Sequence, residues 1–245
     1  MNLKNKTVLV TGSSRGIGKA IALAFSRAGC NVALNASKSI ARLEETKTLL
    51  EQENIPVLAH LADVSDYESC KTLFGEIEKK FGSVDILVNN AGISHIGHFT
   101  DMTPAEWQRV LSVNLESVLN CTHLAVPAMV RKKEGVILNI SSMWGEVGAS
   151  CEAVYSASKG AVNAFTKAMA KELGPSNIRV NAISCGVIDT DMNRCFSAEE
   201  RQALIDEIPA DRFGQPSEVA ALALQLAQAP AYLTGQIITI DGGLL

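Results

Sequence analysis

The feature of this sequence that most constrains its fold is a regular alternation of short apolar runs with helix-length segments. The runs are TVLVTG, NVALNA, PVLAHLADV, DILVNNAG, GVILNISS, IRVNAISCG and QIITIDGG. A run that is apolar throughout, rather than at every second position, is typical of a strand buried on both faces of a parallel sheet. Because right-handed βαβ units join such strands, we predict an α/β fold with a Rossmann-type, doubly wound parallel sheet.

Signals for the starts and ends of helices lie between these runs. Helical patterns extend from about Gly16 to Gly29, from Pro104 to Lys132 and around Tyr155 to Leu173. Ser65 and Thr103 are residue types suited to N-cap positions. The chain is therefore expected to alternate strand and helix along its whole length.

Length and composition bound the function. With 245 residues and 47% hydrophobic content, the chain can bury one sizeable core, so we predict a single domain over residues 1–245. One long segment, at about 189–215, lies outside the alternation and predicts a substrate lid.

The net charge of −4 leaves no excess of basic residues to neutralise the phosphates of a nucleic acid, so we expect no nucleic-acid partner. The chain has neither a membrane-length apolar run nor a signal peptide, so we expect a cytoplasmic protein that does not bind membranes.

The cysteines and histidines do not form a metal-binding pattern. His95 and His98 are close in sequence, but no carboxylate or thiol nearby completes a ligand set, so we expect a role in a substrate loop or plain solvation. We predict no metal site, and we expect the scattered cysteines to be reduced and mostly buried. They are Cys30, Cys70, Cys121, Cys151, Cys185 and Cys195.

A glycine-rich turn, TGSSRGIG, follows the first apolar run directly. Glycines between a strand and a helix let backbone amides approach a pyrophosphate at the positive end of the helix. The spacing differs from G-x-G-x-x-G, and the glycines could merely shape a tight turn, but their place after the first strand favours cofactor binding. The predicted contacts are Gly12, Ser14, Arg15, Gly16, Ile17 and Gly18.

The end of the second strand indicates which dinucleotide binds. An acidic residue there would hold the ribose hydroxyls and repel a 2′-phosphate, but Asn35, Ser37 and Lys38 include no carboxylate. Lys38 and Arg15 could instead donate charge-assisted hydrogen bonds to a phosphate. We therefore predict NADP(H), with a solvated Lys38 as the alternative.

Tyr155 and Lys159 are four residues apart and share one face of a predicted helix. An adjacent ammonium favours the phenolate, so we expect a lowered pKa that lets Tyr155 exchange protons. Ser142, at the end of the preceding strand, could hold a substrate oxygen by a hydrogen bond. Alone, the pair is more often a packed tyrosine beside a solvated lysine; together with the glycine turn, the strand that ends in serine and their order along the fold, it indicates catalysis.

With these residues the chain resembles the short-chain dehydrogenase/reductase superfamily over essentially its whole length. The resemblance implies a tetrad of Asn114, Ser142, Tyr155 and Lys159, with Tyr155 as general acid, Ser142 orienting the carbonyl, Lys159 lowering the tyrosine pKa and Asn114 holding a water. It also implies further cofactor contacts. These are Asp63, Val64, Asn90, Ala91, Gly92, Ile188 and Thr190, besides Tyr155 and Lys159.

Within the superfamily the motifs are most similar to those of the bacterial β-ketoacyl-acyl-carrier-protein reductases. That resemblance implies a homotetramer that reduces a 3-oxoacyl thioester in fatty acid biosynthesis. One departure is Cys185-Gly186, where the family normally has Pro-Gly. A second is Lys133 and Ser176, where those enzymes often place the arginines that dock the acidic carrier protein, which weakens the case for carrier docking.

Two acidic residues, Glu146 and Glu152, lie between Ser142 and Tyr155, where substrate is expected to pass. A carboxylate there would suit a cationic substrate; the alternative is that both face water. The SSMWGEVGASCE stretch resembles relatives that reduce an aminopentanone group on elongation factor P, which makes that ketone the main enzymatic alternative. A non-catalytic, cofactor-sensing or scaffold protein on the same fold is a further alternative.

Overall fold

Seven parallel strands form one sheet in the computed structural model, which describes residues 1–194 and 196–245. The strands are β1 (Thr7–Val10), β2 (Asn31–Ala36), β3 (Val57–Leu61), β4 (Ile86–Asn89), β5 (Gly135–Ser142), β6 (Ile178–Cys185) and β7 (Ile237–Ile240). Their spatial order is β3-β2-β1-β4-β5-β6-β7, and every pairing is parallel. This confirms the predicted Rossmann-type sheet.

Helices cover both faces of the sheet. Successive residues of β1 point to opposite sides, so Val8 and Val10 join one apolar cluster while Leu9 joins the other. The α-helices are α1 (Gly16–Arg27), α2 (Ile40–Glu51), α3 (Tyr67–Phe81), α4 (Pro104–Leu111), α5 (Ser117–Lys132), α6 (Trp144–Val147), α7 (Ala153–Leu173), α8 (Ala198–Glu207) and α9 (Pro216–Gln228). The first cluster packs against α1, α2 and α9, and the second against α3, α5 and α7.

Helix ends follow the sequence expectation at two places and differ from it at one. The helix predicted to stop at about Gly29 ends at Arg27, because Gly29 has a φ of +86° that cannot continue a helix. The N-cap of α3 is Asp66 rather than Ser65, and its side chain accepts a hydrogen bond from the Ser69 amide at 2.7 Å. Thr103 is confirmed as the N-cap of α4.

The predicted helix from Pro104 to Lys132 is not one continuous α-helix. A π-helical segment, Ser112–Glu116, separates α4 from α5. Such segments widen a helix locally and occur frequently at functional sites. Here the segment contains Asn114, so the irregularity falls on a predicted catalytic residue.

The sheet also fixes where a ligand can bind. Strand order reverses between β1 and β4, the point at which connections pass to opposite faces and leave a crevice at the carboxyl ends of the strands. The segment that follows β6 lies at this same end and contains a 3₁₀ turn, Asp191–Asn193, and α8. Its ends are held together where Ile188 pairs with Gly214. No helix in the described residues is long and apolar enough to cross a membrane.

Candidate active site

The glycine turn between β1 and α1 is shaped for close approach. Gly12 and Gly16 have φ angles of +64° and +53°, which side-chain-bearing residues rarely adopt. A Cβ on Gly18 would lie 2.5 Å from both the Gly12 carbonyl oxygen and the Asn90 Nδ2 atom. No side chain caps the start of α1, and its first turn carries no acidic residue, so its amides remain available to an anion. These features fit a dinucleotide pyrophosphate.

A polar clamp joins this turn to the end of β4. The Thr11 hydroxyl accepts hydrogen bonds from the Asn90 and Ala91 amides, each at 3.0 Å. The Asn90 side chain donates to the carbonyls of Thr11 at 2.8 Å and Gly12 at 3.1 Å. Thr11 did not stand out as a site residue in the sequence, because its role depends on β1 and β4 being neighbours.

The Asn35 side chain links the glycine turn to the end of β3. Its side-chain oxygen accepts from the Gly12 amide at 3.4 Å, and its Nδ2 donates to the Ala62 carbonyl at 3.0 Å. The residue is buried, so its amide is committed to holding β2, β3 and the glycine turn together. Ser37 and Lys38, by contrast, lie exposed beyond the end of β2.

Asp63 and Val64 follow β3 and form the neighbouring wall of the crevice. Val64 is buried, while the Asp63 carboxylate accepts from Ser65 and from Arg109 at 3.1 Å. Burial acts to raise the pKa of Asp63, but hydrogen bonds from Ser65 and the Arg109 charge outweigh it and lower the pKa. The carboxylate is therefore held ionised at this edge.

Asn114 is fully buried and held by the loop that follows β4. Its Oδ1 accepts from the Ile93 amide at 2.8 Å, and its Nδ2 donates to the Ile93 carbonyl at 2.9 Å and the Ser158 hydroxyl at 3.1 Å. A Cβ on Gly92 would lie 3.4 Å from the Asn114 Oδ1 and 3.6 Å from the Lys159 Nζ. Gly92 thus lies between Asn114 and Lys159.

Lys159 is buried and points toward the sheet. Its Nζ donates to the Ile140 carbonyl at 2.8 Å and lies 5.6 Å from the centroid of the Tyr155 ring. Burial lowers the pKa of Lys159 to about 8. The lysine and the tyrosine therefore share one helix face, as the spacing predicts, and α7 carries both to the crevice.

The expected lowering of the Tyr155 pKa is not what the structure gives. Burial of the phenol raises its pKa; a hydrogen bond with Ser142 acts in the opposite direction, and the charge of Glu152 acts with burial. The sequence argument counted only the ammonium and omitted desolvation, which is larger. Tyr155 is thereby kept as a neutral phenol, the form that donates a proton.

Ser142 and Cys185 are partners in the register of β5 and β6. The Ser142 hydroxyl accepts from the Trp144 amide at 3.2 Å, and the Cys185 carbonyl accepts from the Met143 amide at 3.0 Å. Burial raises the pKa of Cys185 to about 12, so its thiol stays neutral beside the tetrad.

Of the other described cysteines, Cys30, Cys70 and Cys121 are free and buried and Cys151 is half-buried, while Cys195 lies outside the described residues.

The two acidic residues of the predicted substrate segment occupy different places. Glu146 accepts hydrogen bonds from the hydroxyls of Ser184 and Thr239, so it is committed to the ends of β6 and β7. Glu152 is half-buried and accepts from the Ser94 hydroxyl in the loop that follows β4, and its charge acts on Tyr155. Of the two, Glu152 is the one whose charge acts on Tyr155.

Ile188 and Thr190 lie at the base of the segment after β6. Ile188 is buried, and a Cβ on Gly16 would lie 3.5 Å from the Thr190 Cγ2 atom. Thr190 therefore lies directly against the glycine turn. The next residue, Asp191, accepts from Arg15 at 3.1 Å and from Arg42 at 3.0 Å.

The arrangement combines a glycine turn open to an anion with a half-buried tyrosine, a serine hydroxyl and a buried ammonium at the carboxyl ends of parallel strands. Fold and site together define a nicotinamide-dependent oxidoreductase. The sequence profile of the short chain dehydrogenase family matches residues 6–201. The chain belongs to the short chain dehydrogenase family.

Individual relatives agree with this assignment. The chain is 40% identical over 240 residues to the 3-oxoacyl-[acyl-carrier-protein] reductase FabG of Staphylococcus aureus, with 98% of each protein covered. It is also 40% identical over 243 residues to the uncharacterized oxidoreductase YmfI of Bacillus subtilis, again with 98% of each covered. The crystal structure of a 3-oxoacyl-[acyl-carrier protein] reductase from Brucella melitensis superposes with a TM-score of 0.92 at 37% identity, covering 99% of this chain and 92% of that one.

Proposed function

We propose that the protein reduces a ketone to a secondary alcohol with NADPH, and that the ketone is a 3-oxoacyl thioester. The observation that carries this proposal is the convergence of Ser142, Tyr155 and Lys159 at the crevice beside the glycine turn. The similarity to 3-oxoacyl-[acyl-carrier-protein] reductases over nearly the whole chain supports the thioester.

Particular residues would hold the cofactor. The amides at the start of α1 and the glycines of the turn suit the pyrophosphate. Asp63 and Val64 would border the adenine, and Asn90, Ala91 and Gly92 would line the centre of the crevice. Arg15, Ser37 and Lys38 suit a 2′-phosphate, because β2 ends without a carboxylate. Tyr155, Lys159, Ile188 and Thr190 complete the nicotinamide side. A bound nicotinamide supplies the hydride.

The side chains of the tetrad handle the proton. Ser142 donates a hydrogen bond to the substrate oxygen and stabilises negative charge as it develops. Tyr155, kept neutral by burial, then donates its proton to that oxygen. The Lys159 ammonium stabilises the resulting phenolate. Asn114, held in its π-helical segment, positions a water through which the proton is replaced.

The substrate is tested with purified protein. Oxidation of NADPH is followed with acetoacetyl-coenzyme A and an acyl-carrier thioester in parallel, with NADH as the control. Turnover with NADPH on the thioesters supports the proposal. Binding of NADPH without turnover of either thioester excludes the thioester as substrate.

A second candidate is the aminopentanone group of elongation factor P. The observation that favours it is Glu152, a half-buried carboxylate whose charge acts on Tyr155, because a carboxylate beside the reacting group suits an amine-bearing ketone. The carrier-docking positions point the same way, since Lys133 and Ser176 stand there in place of two arginines. Turnover of an amine-bearing ketone together with inactivity on both thioesters would favour this candidate.

The remaining expectations are proposed with the function. The segment at about 189–215 serves as a lid, and the protein assembles as a homotetramer. An apolar recess of about 310 Å³ between α4 and α7, lined in part by the exposed Phe99 and by Trp107, supports self-association. Light scattering after gel filtration gives the oligomer mass.

A protein that binds NADPH and reduces no ketone would instead be a cofactor sensor.

A further inference from the structure

Two arginine side chains and one aspartate side chain, from distant parts of the chain, meet beside the glycine turn. Arg15 precedes α1, Arg42 lies in the first turn of α2, and Asp191 lies at the base of the segment after β6. The two guanidinium groups donate to the same oxygen, Asp191 Oδ2, at 3.1 Å and 3.0 Å. Two arginines that share one acceptor oxygen form a site for an anion, and the carboxylate fills it here.

The position of this site matches one part of the proposed cofactor. In a doubly wound fold the adenosine ribose lies at the carboxyl end of β2, which is the strand that leads through Ser37 into α2. Arg15 belongs to the turn that suits the pyrophosphate. An anion held between Arg15 and Arg42 would therefore lie beside the ribose, where a 2′-phosphate distinguishes NADPH from NADH.

Arg42 is held toward the turn by its own helix. The Thr46 hydroxyl is shared between the Arg42 carbonyl at 3.0 Å and the Ser14 carbonyl at 3.4 Å, which ties α2 to the glycine turn. Lys38, the basic residue that the sequence favoured, lies in the exposed loop before the helix. The geometry therefore favours Arg42 over Lys38 as the partner of Arg15.

Asp191 is ionised and available for exchange. Burial acts to raise its pKa, but the charges of Arg194, Arg15 and Arg42 together lower it. Arg194 pairs with the other carboxylate oxygen, Oδ1, at 3.0 Å and comes from the same turn as Asp191. The pairs with Arg15 and Arg42 cross between elements, so these two contacts are the ones that a phosphate can replace.

We propose that Arg42 is a specificity-determining residue for the 2′-phosphate of NADPH, and that Asp191 is a positioning residue that occupies the Arg15–Arg42 site until the phosphate replaces it. The inference rests on the proposed use of NADPH. Because the carboxylate and the phosphate compete for the same donors, part of the phosphate's binding free energy is spent on releasing Asp191.

The test compares ligands with and without the 2′-phosphate. Calorimetry measures the affinities of NADPH, NADH, adenosine 2′,5′-bisphosphate and adenosine 5′-monophosphate for the wild type and for Arg42→Ala, Asp191→Asn, Lys38→Ala and Arg194→Ala. Thermal unfolding of each free variant shows that it is folded. The ratio of the affinities within one variant is insensitive to a change in the folded fraction, so it reports recognition rather than stability.

The expected results differ among the variants. Arg42→Ala weakens both 2′-phosphorylated ligands by about tenfold, the value of one charge-assisted contact, and leaves NADH and the monophosphate unchanged. Asp191→Asn tightens the 2′-phosphorylated ligands by about threefold or more, because no carboxylate has to be displaced. Arg194→Ala keeps the wild-type ratio, and Lys38→Ala changes it less than Arg42→Ala does.

Two kinds of failure are distinguishable. A wild type that binds NADPH no more tightly than NADH overturns the proposed cofactor and this inference with it. A wild type that prefers NADPH while Arg42→Ala keeps that preference overturns only the role of Arg42. Unchanged or weaker binding of the 2′-phosphorylated ligands by Asp191→Asn overturns the exchange.

Discussion

The Lys159 Nζ atom donates a hydrogen bond to the Ile140 carbonyl oxygen at 2.8 Å, which anchors the buried ammonium of α7 to strand β5. A buried ammonium is easier to deprotonate than one in water, and burial lowers the pKa of Lys159 to about 8. Its protonation state therefore changes within an experimentally accessible pH range.

The rate of ketone reduction is expected to fall as the pH rises above about 8. Below that pH Lys159 is protonated and stabilises the Tyr155 phenolate that forms on proton transfer; above it the lysine is neutral and the phenolate loses this support. The pH profile of kcat/KM measures this, since it reports groups of the free enzyme. Lys159→Arg should lack the alkaline fall, because a guanidinium stays charged. A fall near the same pH in Lys159→Arg would assign it to another group.

Removal of the Tyr155 hydroxyl should abolish most turnover. General acid catalysis contributes about 10²–10⁴-fold, so Tyr155→Phe is expected to reduce kcat by that factor and to retain NADPH affinity within about threefold. Steady-state NADPH oxidation and fluorescence titration measure the two effects. Tyr67→Phe is the matched control, because that hydroxyl pairs with His123 on an exposed surface at 2.9 Å. Near wild-type turnover in Tyr155→Phe would rule out Tyr155 as the acid.

Gly18 should tolerate no side chain. A Cβ there would lie 2.5 Å from the Gly12 carbonyl, a backbone atom that cannot move without distorting the turn. Gly18→Ala is expected to lower the free energy of unfolding by about 1–3 kcal/mol and to weaken NADPH binding. Gly75→Ala is the control, since no described atom beyond the chain neighbours and backbone of its own helix lies within 4 Å of the added Cβ, and alanine in a helix interior stabilises by about 0.5–1 kcal/mol. Chemical denaturation measures both, and equal effects of the two changes would refute the packing argument.

Much of the fold was predictable because apolar periodicity reflects burial on both faces of the sheet. The features that the sequence did not predict depend on tertiary contacts. The π-helical segment around Asn114 has the composition of an ordinary helix, so nothing local marks it. The raised pKa of Tyr155 comes mainly from burial, which one helix does not reveal. The pairs of Asp191 with Arg15 and Arg42 join residues far apart in the chain, and charged residues carry no periodic signal.

The placement of Glu152 provides the sharpest test between the two candidate substrates. Its carboxylate accepts from Ser94 and acts on Tyr155, so a positive charge on the substrate would be attracted to it while a neutral or anionic chain would not. For an amine-bearing ketone, Glu152→Gln is expected to raise KM by about tenfold, the value of one charge-assisted contact, and to leave turnover of 3-oxoacyl thioesters unchanged or faster. Glu146→Gln is the control, because that carboxylate is committed to Ser184 and Thr239. Steady-state kinetics of both variants with both substrates give KM and kcat and so show whether Glu152 selects the substrate.

An equal loss of kcat/KM on both substrates in Glu152→Gln would mean that the residue only supports the loop after β4 and does not select the substrate. The prediction therefore depends on a difference between the two substrates within one variant, which a general disturbance of the loop would not produce.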